Sequence, residues 1–471
     1  MDRLFNISAG DTAHGSDWYA VEDPAFLHAI AEAPITNQGG LDDAVSAASA
    51  ALPAWSRDLA GRRHALKQCA DLLAANLDEL AVLLSREQGK PLPAAKREIL
   101  SARSYLQYFA EKPAAQEIIR RDPNRTVEAV RAPLGVVGLI VPWNFPIVLL
   151  AMKLGPALWT GNTVVAKPAP TTSLTTLAIA RLFAGCLPAG VFNTVTGGAE
   201  LGASLVSHEG VAKVSFTGST PTGKRIMAGA APTLKRLTLE LGGNDAAIVL
   251  ADTDLDAAAP LLFERAFMNA GQVCCAVKRL YVHSSLYEPM VEKMAAIAAS
   301  WRVGPGLVDG VHMGPLNNRQ QFDHVHTLLR DAVAAGGRIV TDTATPSEWP
   351  GHFIRPTIVA DIPEDSRLVQ EEQFGPALPI LPFDNEDEAI SRANASEYGL
   401  GGSVWSSDPS RAAALAARLE AVNLFVNQHA TPPEPSIPFG GMKHSGFGYE
   451  FGDWGCDEFV VRKVLHTPCG A

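Results

Sequence analysis

Apolar positions recur at helical intervals early in the chain and in short unbroken runs later. Leu66, Leu73, Leu77, Leu80 and Leu84 follow one another at spacings of three, four or seven, which predicts an amphipathic helix over 62–88. Beyond residue 133 the pattern changes. "LGVVGLIV" (134–141), "NTVVAK" (162–167), "GVFNTV" (190–195), "AKVSFTG" (212–218) and "AAIVL" (246–250) read as buried strands, with helical stretches such as 173–186 and 199–207 between them. This alternation predicts an α/β chain with a doubly wound parallel sheet and a ligand at the strands' carboxyl ends. A second series follows residue 250, with helices near 255–270, 286–300, 319–335 and 409–419 and strands near 279–283, 378–383 and 422–427.

Two stretches break the rhythm. "QEIIRRDPNRTVEAV" (116–130) holds two polar extended segments around a turn, a hairpin projecting from the body. Its edge would pair readily with another subunit, and the strand-like "EFVVRKVLH" (458–466) could supply a partner. From Ala132 to Met152 no residue carries a formal charge, long enough on paper to cross a bilayer. Pro133, Pro142 and Pro146 interrupt it, so it predicts a buried strand, a sharp loop and a helix start instead.

A length of 471 residues implies two or more domains, and 47% hydrophobic against 19% charged residues fits a large ordinary core. The net charge of −11 argues against a nucleic-acid partner. Six cysteines, at 69, 186, 274, 275, 456 and 469, are too few and too irregular for a disulfide framework, and no pair has zinc-finger spacing. With no signal-peptide core in "MDRLFNISAGDTAHGSD", a reducing cytoplasm is the simplest expectation, with no metal.

Five short segments could carry chemistry. "FMNAGQVCCAVKRL" (267–280) sets Cys274 beside Cys275; each could be inert packing or a reactive thiolate. "FTGSTPTGK" (216–224) places Gly218 and Gly223 between a strand and a helix, where backbone N–H groups can approach a phosphate and Ser219 can add a hydroxyl. It could equally be a plain glycine turn. Lys167, ending a strand in "VVAKPAP", would sit at the rim of the same crevice or be a solvated surface lysine. Glu240 in "TLELGGND" lies in an apolar strand, either paired structurally or raised in pKa toward a general base. Asn144 in "PWNFP" is fixed between prolines, as an oxyanion donor or a helix cap.

Taken together, "PWNFP", "VVAKP", "FTGS", "LELGG", "GQVC", "EEQFGP" (371–376) and "PFGGMKHSG" (438–446) closely resemble the aldehyde dehydrogenase superfamily, from about residue 40 to 465. The resemblance implies two Rossmann-type αβ domains plus a small β bridging element. Residues 1–115 and 134–241 would form the dinucleotide-binding domain and 242–445 the catalytic domain, with 116–133 and 446–471 bridging subunits in a homodimer or homotetramer.

It also implies roles. The family's nucleophile is the second residue after Gln, here Cys274, with Cys275 lining the site. Asn144 and the Cys274 N–H would hold the oxyanion, and Glu240 would activate the water that hydrolyses the thioester. Lys167 would reach the adenosine ribose, and Trp143 and Ser219, in the turn of Gly218, would flank the pyrophosphate. Glu372 and Phe374 would position the nicotinamide ribose and ring. Many strictly NAD-dependent members carry Glu three residues after this Lys, where the present chain has Pro170. Pro170 removes a carboxylate that would repel a 2′-phosphate but supplies no positive charge to attract one, so NAD is the expected cofactor, with NADP use open. Phe145, Val148, Met152, Met268, Cys275 and Phe439 should face the aldehyde tail, an apolar set that suits a neutral aldehyde. A CoA-acylating member generally lacks the base that Glu240 supplies, and a silent dinucleotide-binding relative would have lost Cys274, Asn144 or Glu240.

Overall fold

The computed structural model describes residues 2–13, 17–113, 117–344, 348–431 and 434–468. Gln116, the first residue of the expected hairpin, and Cys469 lie outside them.

The helix expected over 62–88 is two helices, Leu59–Ala75 and Leu77–Gln88. Asn76 parts them with φ −111° and ψ 20°, and its side-chain amide donates to the Leu72 carbonyl at 2.8 Å. A side chain that bonds its own backbone competes with the helical ladder. The apolar stripe nevertheless runs on across the break. Leu66, Leu73, Leu80 and Leu84 are buried in one cluster with Ile99, Tyr105 and Phe109 of the helix Leu92–Glu111.

Five parallel strands form the centre of the first sheet, in the spatial order Arg236–Glu240, Lys213–Thr217, Val136–Ile140, Thr163–Lys167, Phe192–Thr194. Every residue of 136–140, 163–167 and 213–217 is buried, as a parallel sheet covered on both faces requires. The register pairs Ile140 with Lys167 and Thr217 with Glu240, so these strands end level along one edge. Gly446–Phe447 closes the sheet as an antiparallel edge strand, with Gly446 opposite Glu240.

The run 246–250 leaves this series. Strand Ala246–Val249 belongs to a second, seven-stranded sheet, between Arg279–His283 and Gly401–Trp405. Gly242 and Gly243 thus carry the chain from the end of one sheet to the start of the other. Strand Arg279–His283 keeps its expected bounds, and 378–383 and 422–427 become Ala377–Phe383 and Asn423–Val426.

The hairpin consists of Glu117–Arg121 and Arg125–Pro133. The C-terminal strand Val460–Pro468 pairs along its second arm, from Val460 opposite Pro133 to Pro468 opposite Arg125. The uncharged stretch 132–152 resolves into strand, loop and the helix Pro146–Trp159. No helix among the described residues is long and apolar enough to cross a membrane.

Candidate active site

Glu240 closes its strand with its side chain buried, and neither carboxylate oxygen has a hydrogen-bond partner among the described residues. Burial pushes its carboxyl well above the usual range, the Glu450 carboxylate adds to this, and Lys153 opposes it. Lys153 and Glu450 form a buried ion pair, and Lys153 also donates to Ser215 Oγ at 3.2 Å. The Cys274 thiol raises Glu240 further. A buried carboxyl whose ionisation is raised in this way is of the kind that general bases use.

The double glycine after Glu240 is a matter of space. A Cβ on Gly243 would stand 2.5 Å from the Cys274 carbonyl oxygen, and one on Gly242 would strike the Glu372 carboxylate. The thiol-bearing turn and Glu372 therefore close on this backbone as no larger residue would permit.

Asn144 is held between two elements. Its Nδ2 donates to the Gln272 carbonyl at 2.9 Å, two residues before Cys274. The second hydrogen of that amide remains for another acceptor. Its own carbonyl accepts from Lys90 Nζ at 2.9 Å and Asn269 Nδ2 at 3.0 Å. Lys90 is paired with the buried Glu98, whose Oε1 accepts the Ile147 and Val148 N–H groups at 2.9 and 3.3 Å. Glu98 thereby satisfies orphan donors at the start of the helix Pro146–Trp159 and fixes the loop that aims Asn144.

The carboxyl ends of the first sheet's strands and the loops that follow them carry several of the residues expected to hold a dinucleotide. Lys167 is buried, and burial lowers its ammonium to about 8; its hydrogen bond is to the Pro168 carbonyl at 3.4 Å. Pro170 opens a 3-10 turn and is exposed. Ser219 is the residue before the helix Thr220–Ala230, and its hydroxyl donates to Thr222 Oγ1 at 3.0 Å. The Gly218 N–H is taken by the Glu240 carbonyl at 3.0 Å, tying the glycine turn to the strand of Glu240. Trp143 and Phe374 meet edge to face with ring centroids 5.3 Å apart. Glu372 accepts from the Gly243 N–H at 3.1 Å and faces Lys278 Nζ at 3.3 Å.

Cys274 and Cys275 occupy a tight turn ahead of strand Arg279–His283, both half-buried. The neighbouring Cys275 thiol, then burial, raise the Cys274 thiol well above its ordinary value, and the Lys278 ammonium acts in the opposite sense. Behind the turn, His429 Nε2 lies 3.2 Å from the Cys275 carbonyl oxygen and its Nδ1 2.9 Å from Ser403 Oγ.

The aldehyde dehydrogenase family profile matches residues 12–465. The chain is 38% identical over 453 residues to glutarate-semialdehyde dehydrogenase of Pseudomonas aeruginosa, covering 94% of this chain and 93% of that protein. It is 39% identical to phenylacetaldehyde dehydrogenase of Pseudomonas fluorescens, covering 94% and 91%. The NAD+ complex of aldehyde dehydrogenase from Bacillus cereus superposes with a TM-score of 0.96 at 33% identity, over 99% and 97% of the two chains. The chain belongs to the aldehyde dehydrogenase family.

In this aldehyde dehydrogenase, Val148 and Met152 are buried in one apolar cluster against which Phe145 and Phe439 pack. Met268 is not among the residues of that cluster, Arg265 Nη1 lies 3.9 Å from its sulfur, and Cys275 sits in the thiol turn. Sequence reasoning missed Lys90, Glu98, Lys153, Lys278, His429 and Glu450. One of them had a visible signal: Lys153 is the single charge in "PIVLLAMKLGPALW", a helix otherwise without any.

Proposed function

We propose that this aldehyde dehydrogenase oxidises a neutral, apolar aldehyde to its carboxylic acid in two covalent stages on Cys274. The observation that carries this reading is Glu240, a buried carboxylate whose oxygens have no hydrogen-bond partner among the described residues and whose acidity the Cys274 thiol itself shifts. The Cys274 thiolate adds to the aldehyde carbon, and the Asn144 amide and the Cys274 N–H receive the oxyanion. When bound, the dinucleotide supplies the hydride acceptor that turns the thiohemiacetal into a thioester. Glu240 then takes a proton from water, whose oxygen attacks the thioester carbon, and Cys274 leaves as thiolate. Glu240 speaks against release to CoA, which needs no such base. We place the enzyme in the cytoplasm as a homodimer or homotetramer, with the exposed strand Glu117–Arg121 available for pairing between subunits.

An assay across neutral aliphatic, aromatic and ω-carboxylate aldehydes, reading NADH and NADPH, tests this. The four residues around one apolar cluster favour the neutral compounds. A preference for ω-carboxylates would overturn the neutral-substrate reading.

Cofactor choice follows from Lys167 and Pro170. Lys167 can donate to a ribose hydroxyl or a phosphate, whereas the Pro170 side chain does neither. We read NAD as the cofactor, with NADP tolerated. Pro170→Glu should add hydrogen bonds to the ribose of NAD, each worth about 1.5–3 kcal/mol, and repel a 2′-phosphate. The NAD-over-NADP ratio of kcat/KM should rise by about tenfold or more. An unchanged ratio would mean that residue 170 does not face the ribose.

A further inference from the structure

Lys278 is not part of the chemistry described above, yet its ammonium has no freedom left. Its side chain is 3% exposed. It donates to the Val273 carbonyl at 2.7 Å and to the Cys274 carbonyl, and faces Glu372 Oε1 at 3.3 Å. Those three acceptors use all three N–H bonds of an ammonium. The root of the residue is as firmly held, because its N–H donates to the Asp245 carbonyl at 3.0 Å and its own carbonyl accepts from Gln373 Nε2 at 2.8 Å.

The Val273 carbonyl and the Cys274 N–H belong to one peptide unit. In a planar trans peptide they point in opposite directions. Fixing the oxygen on Lys278 therefore fixes the N–H on the far side, where it donates to no acceptor among the described residues. That N–H is the donor offered to the oxyanion. From this geometry we infer that Lys278 is a positioning residue that aims the Cys274 N–H and sets a positive charge under the nucleophile, with Glu372 as the counter-charge that tempers it. The inference rests on Cys274 being the nucleophile. Burial of the ammonium beside its two carbonyl partners makes the charge felt at the thiol, in the direction that favours thiolate.

Glu372 has the opposite sign and the opposite effect on the thiol. The two residues can thus be separated from a packing role by the direction of their effects. We would alkylate cofactor-free enzyme with iodoacetamide at pH 8 in a Cys275→Ala background and count adducts on the peptide carrying Cys274. Below its pKa the rate follows the thiolate fraction, which changes tenfold for each unit. Lys278→Met should slow alkylation by about tenfold, Lys278→Arg should recover most of that loss, and Glu372→Gln should speed it by about threefold or more. In turnover, Lys278→Met should lower kcat with little change in KM, as loss of an aimed oxyanion donor requires. Equal rates in Lys278→Met and its parent, or slowing in Glu372→Gln, would overturn the inference. Should Lys278→Met not fold, Glu372→Gln decides alone. Alkylation needs no turnover, so this outcome is independent of whether Cys274→Ala abolishes activity, which tests the nucleophile itself.

Discussion

Cys274→Ala is expected to lower aldehyde oxidation by about ten-thousandfold or more, since no covalent route remains once the sulfur is gone. NAD binding should persist, because Lys167, Ser219 and Glu372 lie on other elements; titration calorimetry would read it directly. Cys275→Ala is expected to behave quite differently. The Cys275 thiol is the largest influence raising the Cys274 thiol, so its removal should make the nucleophile more acidic and leave turnover substantial, with an altered preference for aldehyde size. An inactive Cys275→Ala beside an active Cys274→Ala would exchange the two roles.

Glu240→Gln separates the two halves of the reaction. The amide keeps the shape but accepts no proton, so hydrolysis of the thioester should slow by about a hundredfold or more while its formation continues. Rapid mixing should show one NADH per site in a burst, followed by a slow steady rate. The wild-type pH dependence has a definite sign. Glu240 acts as a base only when ionised, and burial with Glu450 nearby moves its ionisation well above the usual carboxylate range. The hydrolytic rate should therefore fall as pH is lowered through that raised pKa, well before an ordinary glutamate would protonate, and level off on the alkaline side. In Glu240→Gln this limb should vanish. An unchanged limb, or unchanged turnover with no burst, would assign the base elsewhere.

The strands and the residues at their ends were legible in the sequence because they depend on local pattern. Unbroken apolar runs mark strands buried on both faces, and Lys167 and Glu240 end such runs at the carboxyl edge of the sheet. The break at Asn76 was not legible, since the leucine spacing runs through it and a single side-chain hydrogen bond decides the matter. The sheet exchange at 242–245 was equally hidden, because the pattern of Ala246–Val249 is the same in either sheet. Lys90 with Glu98, and Lys153 with Glu450, acquire meaning only as pairs. Lys153 stands out as the single charge of its helix, but Lys90, Glu98 and Glu450 read as ordinary helix or loop residues, and only the folded chain brings each partner within reach.

Glu240 meets its surroundings late. The strand opposite it is Gly446–Phe447, the Ser445 carbonyl accepts the Leu241 N–H at 2.9 Å, and the carboxylate that raises its pKa is Glu450. All three are synthesised long after Glu240 itself. The strand that carries Glu240 therefore gains its last neighbours only when the segment after residue 440 has been made and has folded back across the sheet.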